Sequence, residues 1–584
     1  MAWGWPKGYR IGLALVALAA ACWISVGLPG AVEARTPLLD AFAHSDTRFI
    51  TRDRDLSGFA FAPSGLGDVN GDGLDDLAFG FSIATGGNEP QGALVVPGRP
   101  YRRFEAVSRR DRGSFRVIGG VLGVGLRAAG DVNGDGVGDM LADGDDQRTT
   151  YVIFGQRSPT DVRLDQLGDR GFAMTAGQTE VQGVSGAVPA GDVNGDRQSD
   201  VLLSATKDDG SGFATVVFGG PSSESVNVTA PSNRGFRVDG LCNGIFDDGD
   251  FVDPTGFSLA GPGDLNGDGL SDVVIGSDRR DRRLDCGAPR RGEAIVVFGK
   301  RSSSNVDARS LGPAGVRFTG SPGTGVSVAG AGDVNGDRRA DFTLQRPGGV
   351  SVLFGANRLR GGRVDALGRR ALRIRLAPGF GTTPVSLGDL NRDRLADLGV
   401  GNHVVYGTRS TREIALSDLG TRGFRVLQTG SFLAGARPGR LSAAGDPDGD
   451  GRRELFVASE ISAPPDEAYM LDVNGAPSVV VAPFRRAIIV PRARTLAVRI
   501  LCPATASGRC SGRLRLSIGG TTVLTERFVL RSGRSRVVRR RLSQGLKRLL
   551  ARRLGKRIVC VTTATDARGG RARTVRRVRL RSAP

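Results

Sequence analysis

The sequence predicts an all-β chain, a β-propeller of seven four-stranded blades followed by a small C-terminal Ig-like β-sandwich, and three observations carry that expectation. Gly supplies 88 of 584 residues and aromatics 6%, and the apolar stretches are short and bounded by Gly, Asp, Asn and Pro, which is how strands and tight turns are written. An acidic loop recurs seven times between Gly67 and Glu454. From about Pro477 the repeat stops and acidic residues almost vanish. At this length the chain needs several cores or one repeat array.

Residues 1–34 read as a leader. Lys7 and Arg10 precede an apolar run from Ile11 to Val26, and Val32-Glu33-Ala34 offers short residues for cleavage. The run is shorter than the roughly 20 residues a membrane span needs. A lipid attachment at Cys22 fits less well, because Leu18 sits one position too early for that motif. The expectation is a secreted, extracellular protein that can associate with a cell surface. Cys242, Cys286, Cys502, Cys510 and Cys560 then lie where disulfides form. Cys502 with Cys510 and Cys242 with Cys286 are the plausible pairs, which leaves Cys560 as a buried thiol.

Residues 35–475 hold the repeats. The first loop is Gly67-Asp68-Val69-Asn70-Gly71-Asp72-Gly73-Leu74-Asp75-Asp76, and later copies start at Asp131, Asp192, Asp264, Asp333, Asp389 and Asp446. Successive starts are 63, 61, 72, 69, 56 and 57 residues apart, enough for about four short strands. A second landmark reads Phe154-Gly155, Phe218-Gly219, Phe298-Gly299, Phe354-Gly355 and Tyr406-Gly407. A third reads Gly171-Phe172, Gly235-Phe236 and Gly423-Phe424, with Phe115 and Phe318 in the same place elsewhere. One such unit cannot bury its own sheet faces, so the units must pack on one another, and four-stranded units arranged radially close a ring. The last unit runs out of strands near Asp472, whereas Thr47-Arg48-Phe49-Ile50-Thr51 precedes the first loop. That N-terminal strand is expected to complete the last blade.

The loop is a set of oxygen ligands for a hard cation. Positions 1, 3, 5 and 9 offer side-chain oxygens and position 7 a carbonyl, with no His or Cys, which suits calcium and rejects zinc or copper. The expected ligands are Asp68, Asn70, Asp72, Asp76 and the carbonyl of Leu74 in the first loop. The second, third and fourth loops offer Asp131, Asn133, Asp135, Val137 and Asp139; Asp192, Asn194, Asp196, Gln198 and Asp200; and Asp264, Asn266, Asp268, Leu270 and Asp272. The fifth, sixth and seventh offer Asp333, Asn335, Asp337, Arg339 and Asp341; Asp389, Asn391, Asp393, Leu395 and Asp397; and Asp446, Asp448, Asp450, Arg452 and Glu454. An EF-hand would need a Glu at position 12 and flanking helices, and neither is present. Up to seven structural calcium ions are expected. Loops at Asp68, Asp131 and Asp264 keep Gly at positions 4 and 6 and should bind best; Arg197 and Arg338 weaken two others, and Arg392 with Arg394 makes the loop at Asp389 the weakest. The alternative is a set of Asx turns without metal.

An Asp-x-Asn-Gly-Asp-Gly-x-x-Asp loop in units of this length resembles the FG-GAP repeat and the head of integrin α subunits, over roughly residues 36–475. The resemblance implies a calcium-binding adhesion or ligand-binding propeller whose loops sit at the blade rim, away from the ligand face. The Phe-Gly and Gly-Ala-Pro landmarks of that family are degraded here, to forms such as Gly256-Phe257-Ser258. A distinctive insertion from Cys242 to Thr255 carries Asp247, Asp248, Asp250 and Asp253.

Residues 476–584 contain 28 Lys or Arg against 2 Asp or Glu, although the whole chain is only +20. Strand-like runs cover Leu496 to Leu501, Arg513 to Ile518, Val523 to Leu530 and Ile558 to Ala564, and Ser543 to Leu554 has helical spacing. Such charge attracts an anionic cell-wall or surface polymer, and the propeller an unidentified protein or polysaccharide. Catalysis finds little support: His44 and His403 are the only histidines, and the carboxylates are committed to the loops. The expectation is a binding module and not an enzyme, with a lectin-like propeller second and a polysaccharide-active enzyme third.

Overall fold

The structure is a computed structural model of the full chain, which divides into residues 1–35 and 36–584. It describes residues 38–40, 47–51, 57–59, 64–82, 92–99, 104–107, 111–119, 126–177 except 145 and 147, 181–207, 211–242, 257–277, 291–376, 384–427 except 421, 441–457 except 450 and 452, 467–472, 486–490, 495–501, 509–518, 521–531, 535–541, 557–565 and 571–582. The leader, His44, the acidic insertion, Cys286, Cys502 and the helix expected from Ser543 lie outside the described residues.

Alternating apolar positions and Gly-bounded turns produce antiparallel sheets. Among the described residues before 473, six sheets have five strands and one has six. The unit around Asp131 shows the plan. Arg127–Gly130 runs into the acidic loop, Asp139–Asp143 returns from it, Thr149–Ile153 ends at Phe154-Gly155, and Gly171–Thr175 forms the fourth strand. A fifth, Val226–Asn227, comes from the next unit and pairs in parallel with Met174 and Thr175.

The landmarks now have physical causes. Phe154 packs edge-on against Phe172 at 6.2 Å, and Phe218 does the same to Phe236 at 5.9 Å. A Cβ on Gly155 would stand 2.3 Å from the carbonyl oxygen of Gly138, and one on Gly171 2.0 Å from that of Val152. Only Gly lets the backbones approach that closely.

Each sheet buries its faces against its neighbours. One apolar cluster joins Leu141, Val152 and Phe172 to Val201, Phe213 and Val217 of the next sheet. Others join Phe236 to Val273, Phe318 to Phe342, and Val352 to Val405. Each fully buried Phe or Val contributes about 1.5–3 kcal/mol. The inner strands Ser64–Gly67, Arg127–Gly130, Val181–Gly191, Ser258–Gly263, Val328–Gly332, Val385–Gly388 and Leu441–Gly445 touch one another in that order, and the last touches the first. The circuit is closed, which is a propeller.

Closure uses the N-terminal segment. Thr47–Thr51 pairs antiparallel with Glu467–Asp472, with Phe49 opposite Ala468, and so enters the last sheet as expected. Leu38–Asp40 also pairs in parallel with Arg425–Leu427 of the preceding sheet. The segment thus clasps two sheets.

The C-terminal segment forms one hydrogen-bonded sheet of seven strands, in the spatial order Thr521–Arg531, Arg509–Ile518, Arg557–Thr565, Arg571–Ser582, Arg486–Val490, Thr495–Leu501 and Ser535–Arg541. The four strand-like runs read from sequence all fall inside these strands. One pairing departs from the antiparallel arrangement expected from sequence: Arg486–Val490 runs parallel to Arg571–Ser582. Seven strands spaced about 4.8 Å apart would hold the edges of a flat sheet roughly 29 Å apart. Arg531 and Ser535 end and begin the two edge strands, and four Cα steps span at most about 15 Å. The sheet must therefore roll.

Candidate metal loops

Each acidic loop is built from local hydrogen bonds. Asp131 accepts at Oδ1 from the N–H of Gly134 at 2.8 Å and of Asp135 at 3.1 Å, and at Oδ2 from Gly136 at 2.9 Å. Asn133 Oδ1 accepts from Asp135 at 2.9 Å, and Asp135 Oδ1 from Val137 at 2.8 Å. The pattern repeats around Asp68, Asp192, Asp264 and Asp333. Positions 4 and 6 take positive φ, as at Gly134 (78°) and Gly136 (80°). Arg197, Arg338, Arg392 and Arg394 adopt the same left-handed conformation, at φ between 61° and 72°. A left-handed backbone strains a residue that carries a Cβ, so all four arginines sit in a costly conformation.

Position 9 does something the sequence did not indicate. Asp76 Oδ2 accepts from Val69 N–H at 2.9 Å, and its Oδ1 accepts from Gly98 N–H at 2.8 Å. Asp139 binds Val132 and Gly155 in the same way, Asp200 binds Val193 and Gly219, and Asp272 binds Leu265 and Gly299. Asp341 and Asp397 complete the series with Gly355 and Gly407. Each of these carboxylates pins the start of its loop to the Gly of the Phe-Gly landmark, or to Gly98 in the first unit. Burial pushes each of the six carboxyls up to about 7, against the backbone donors that pull it down.

The loops also join neighbouring sheets. The carbonyl of Asp68 accepts from Gly138 N–H at 2.8 Å, that of Asp131 from Ser199 at 2.7 Å, and that of Asp192 from Ser271 at 2.7 Å. Ala340 and Ala396 continue this ladder onto Asp264 and Asp333.

The seventh loop differs. Among the described residues it is the place where three carboxylates converge: oxygens of Asp446, Asp448 and Glu454 lie within 4.8 Å of one another, and Glu454 is buried. Asp446 Oδ2 accepts from Gly451 N–H at 2.7 Å, while its buried Oδ1 has no hydrogen-bond partner. Three anionic oxygens at that spacing, one with an open lone pair, fit a hard cation. Asp450 and Arg452 lie outside the described residues.

One recurrent side chain escaped the sequence reading. Arg170 Nη1 donates to the carbonyl of Asp161 at 2.9 Å, Arg370 to that of Arg360 at 2.7 Å, and Arg234 and Arg422 reach Glu224 and Glu413 likewise. Arg170, Arg234 and Arg422 each stand one residue before a Gly-Phe strand, and Arg370 one residue before the corresponding strand Ala371–Arg375; that fixed offset was the available signal. The guanidinium of Arg234 also lies 5.0 Å over Phe172 of the preceding sheet. His403 is buried in a hairpin and its imidazole is held down to about 4 by burial and by Arg425.

Fold and loops together define an extended class, an all-β propeller with an acidic Asx-turn loop on each sheet. No protein-family model matches the chain, and no curated protein matches its sequence. Among solved structures, the extracellular domain of a putative hybrid two-component system from B. thetaiotaomicron is 10% identical, with 91% of this chain and 58% of that chain covered and a TM-score of 0.34. The chain thus spans somewhat under two thirds of that domain. A β-fructofuranosidase from Aspergillus kawachii is 10% identical, with 94% and 89% covered and a TM-score of 0.24. A Ca2+-stabilised, ice-binding adhesin of an Antarctic bacterium is 12% identical, with 93% and 100% covered and a TM-score of 0.12. All three scores are too low to superpose one site on another. No helix among the described residues is long and apolar enough to cross a membrane.

Proposed function

We propose that the chain is a secreted, calcium-stabilised seven-bladed propeller of the FG-GAP type, acting as an adhesion or ligand-binding module and attached or partnered through its basic C-terminal segment. The observation that carries this reading is the repeated loop: one on each sheet, with an inward-folded carboxylate at position 1 and, in the first six, hydrogen-bonded oxygens at positions 3 and 5. Each carboxylate oxygen that accepts an N–H keeps a further lone pair for a cation. In the seventh loop Asp446, Asp448 and Glu454 would hold the ion. Bound calcium would supply positive charge between carboxylates that otherwise repel, and so stiffen the ladder that joins each loop to the next.

The test is calorimetric. Adding EDTA to the full chain should lower the melting temperature, and excess calcium should restore it, because a ligand that binds only the folded state adds RT ln(1 + [L]/Kd) to stability. A melting temperature indifferent to both reagents would end the calcium reading. Screening the protein on a glycan array separates a protein-directed module from a lectin-like one.

A further inference from the structure

We propose that the outer face of the rolled C-terminal sheet is a docking surface for a carboxylate-bearing polysaccharide. The inference rests on the reading of this segment as the attachment part of the module, and adds the surface and the polymer class.

Side chains alternate between the faces of a strand. In Thr521–Arg531, Phe528 and Leu530 are buried at 2% and 7% exposure, whereas Arg527, Val529 and Arg531 are exposed. Phe528 and Leu530 therefore mark the inside of the roll and the arginines its outside. Register carries the same parity across the neighbouring strands. Arg531 stands opposite Arg509, and Arg527 opposite Arg513, both of which are exposed. The row through Arg513 continues to Thr563 and then to Arg573. Farther along the same parity Arg557 is opposite Arg579.

Like charges directly opposite one another destabilise a sheet. These four strands contain a single acidic residue, Glu526, and its register position opposite Leu514 has the inward parity. Exposed Arg509, Arg513, Arg515, Arg527 and Arg531 thus gather on the outward side of two neighbouring strands, with about 5 Å between the strands and about 7 Å between alternate positions along them. A polysaccharide with one carboxylate on each repeating unit would meet such guanidinium groups at several points along its length.

Other polyanions match less well. Single-stranded nucleic acid is held by bases stacked on aromatic side chains, and Phe528, which is buried, is the sole aromatic residue from 486 to 582. Duplex DNA is read by an element that enters a groove, and an outward-curving sheet offers none. A lipid surface is gripped by an apolar stripe, whereas among the described side chains of Thr521–Arg531 and Arg509–Ile518 the exposed large apolar residue is Val529 alone.

The experiment measures binding of the full chain to immobilised hyaluronate, with dextran as the neutral control and duplex DNA as competitor. Two variants accompany it: Arg509, Arg513, Arg515, Arg527 and Arg531 all changed to Gln, and the same five changed to Lys. Retention on hyaluronate and not on dextran is expected, weakening about tenfold or more between 50 and 200 mM salt. The Gln variant should bind at least about tenfold more weakly, and the Lys variant should stay within about threefold of the parent. Absence of retention by the full chain overturns the proposal, as does a Gln variant that binds like the parent. Tighter binding to DNA at equal salt also overturns it and makes nucleic acid the partner. Repeating the assay in EDTA separates the two readings: retention should persist there, and retention that requires calcium moves the site to the loops and overturns this proposal, while the calcium reading stands or falls on the melting experiment.

Discussion

The backbone N–H of Asp446 donates to Asp75 Oδ2 at 2.7 Å, joining residues 371 positions apart. Asp75 belongs to the first loop and Asp446 opens the seventh, so this bond lies on the seam where the ring closes. Leu38–Asp40 and Thr47–Thr51 cross the neighbouring part of that closure, each paired to a strand from the far end of the repeat array. Removing residues 38–51 is expected to lower the melting temperature by several degrees, since two strand pairings are lost and a 1 kcal/mol change moves even a domain of 150–250 residues by about 2–4 °C. An unaltered calorimetric trace for the truncated chain would show that the clasp does not hold the ring.

Asp272 offers a test of the role assigned to position 9. Its two oxygens satisfy the N–H groups of Leu265 and Gly299 in a buried setting. Asp272→Ala leaves both donors without an acceptor and is expected to cost about 2–5 kcal/mol in urea unfolding with calcium absent. A cost below about 1 kcal/mol would mean that the carboxylate serves only a metal.

Arg394 sits at φ 68°, where a side chain with a Cβ is strained. Arg394→Gly should raise stability by about 1 kcal/mol, the strain relieved exceeding the entropy that Gly adds to the unfolded chain. It should also strengthen calcium binding in the loop at Asp389 by removing a positive charge. A destabilised variant would show that the arginine side chain contributes more than the strain costs.

His403 gives the protein a pH dependence of known sign. Its folded-state value of about 4 lies below the ordinary 6.5, so between those values the unfolded chain binds the proton and the folded one does not. The stability it protects is complete above about pH 6.5 and is lost as the pH falls toward 4, by roughly 2–3 kcal/mol. The six raised aspartates act in the opposite direction over the range up to about 7. The diagnostic quantity is therefore the difference between the parent and His403→Asn, measured as the shift in melting temperature between pH 7 and pH 5. Identical shifts in the two proteins would place the imidazole in a hydrated site.

Much of the propeller was legible in the residues. The seven loops, the Phe-Gly and Gly-Phe landmarks and the N-terminal strand of the last sheet all follow from spacing, because each rests on turn chemistry or on an apolar pattern only a few residues long. The Asx-turn bonds around Asp131 span two to five positions, so the local sequence specifies them completely. The parallel pairing of Arg486–Val490 was not legible, because strand neighbours far apart in sequence leave no local trace.

The sequence by itself determined the repeat, the chemistry of its loops and the charge imbalance of the C-terminal segment, since composition and short-range spacing are written directly in the chain. Tertiary structure alone decided that position 9 grips a glycine 10 to 27 residues away, that each loop bonds to the next, and that strand parity places arginines on the outside of one rolled sheet. Those outcomes depend on which backbone groups and strands the packing of apolar faces brings together, a property of the folded chain that no short stretch of it encodes.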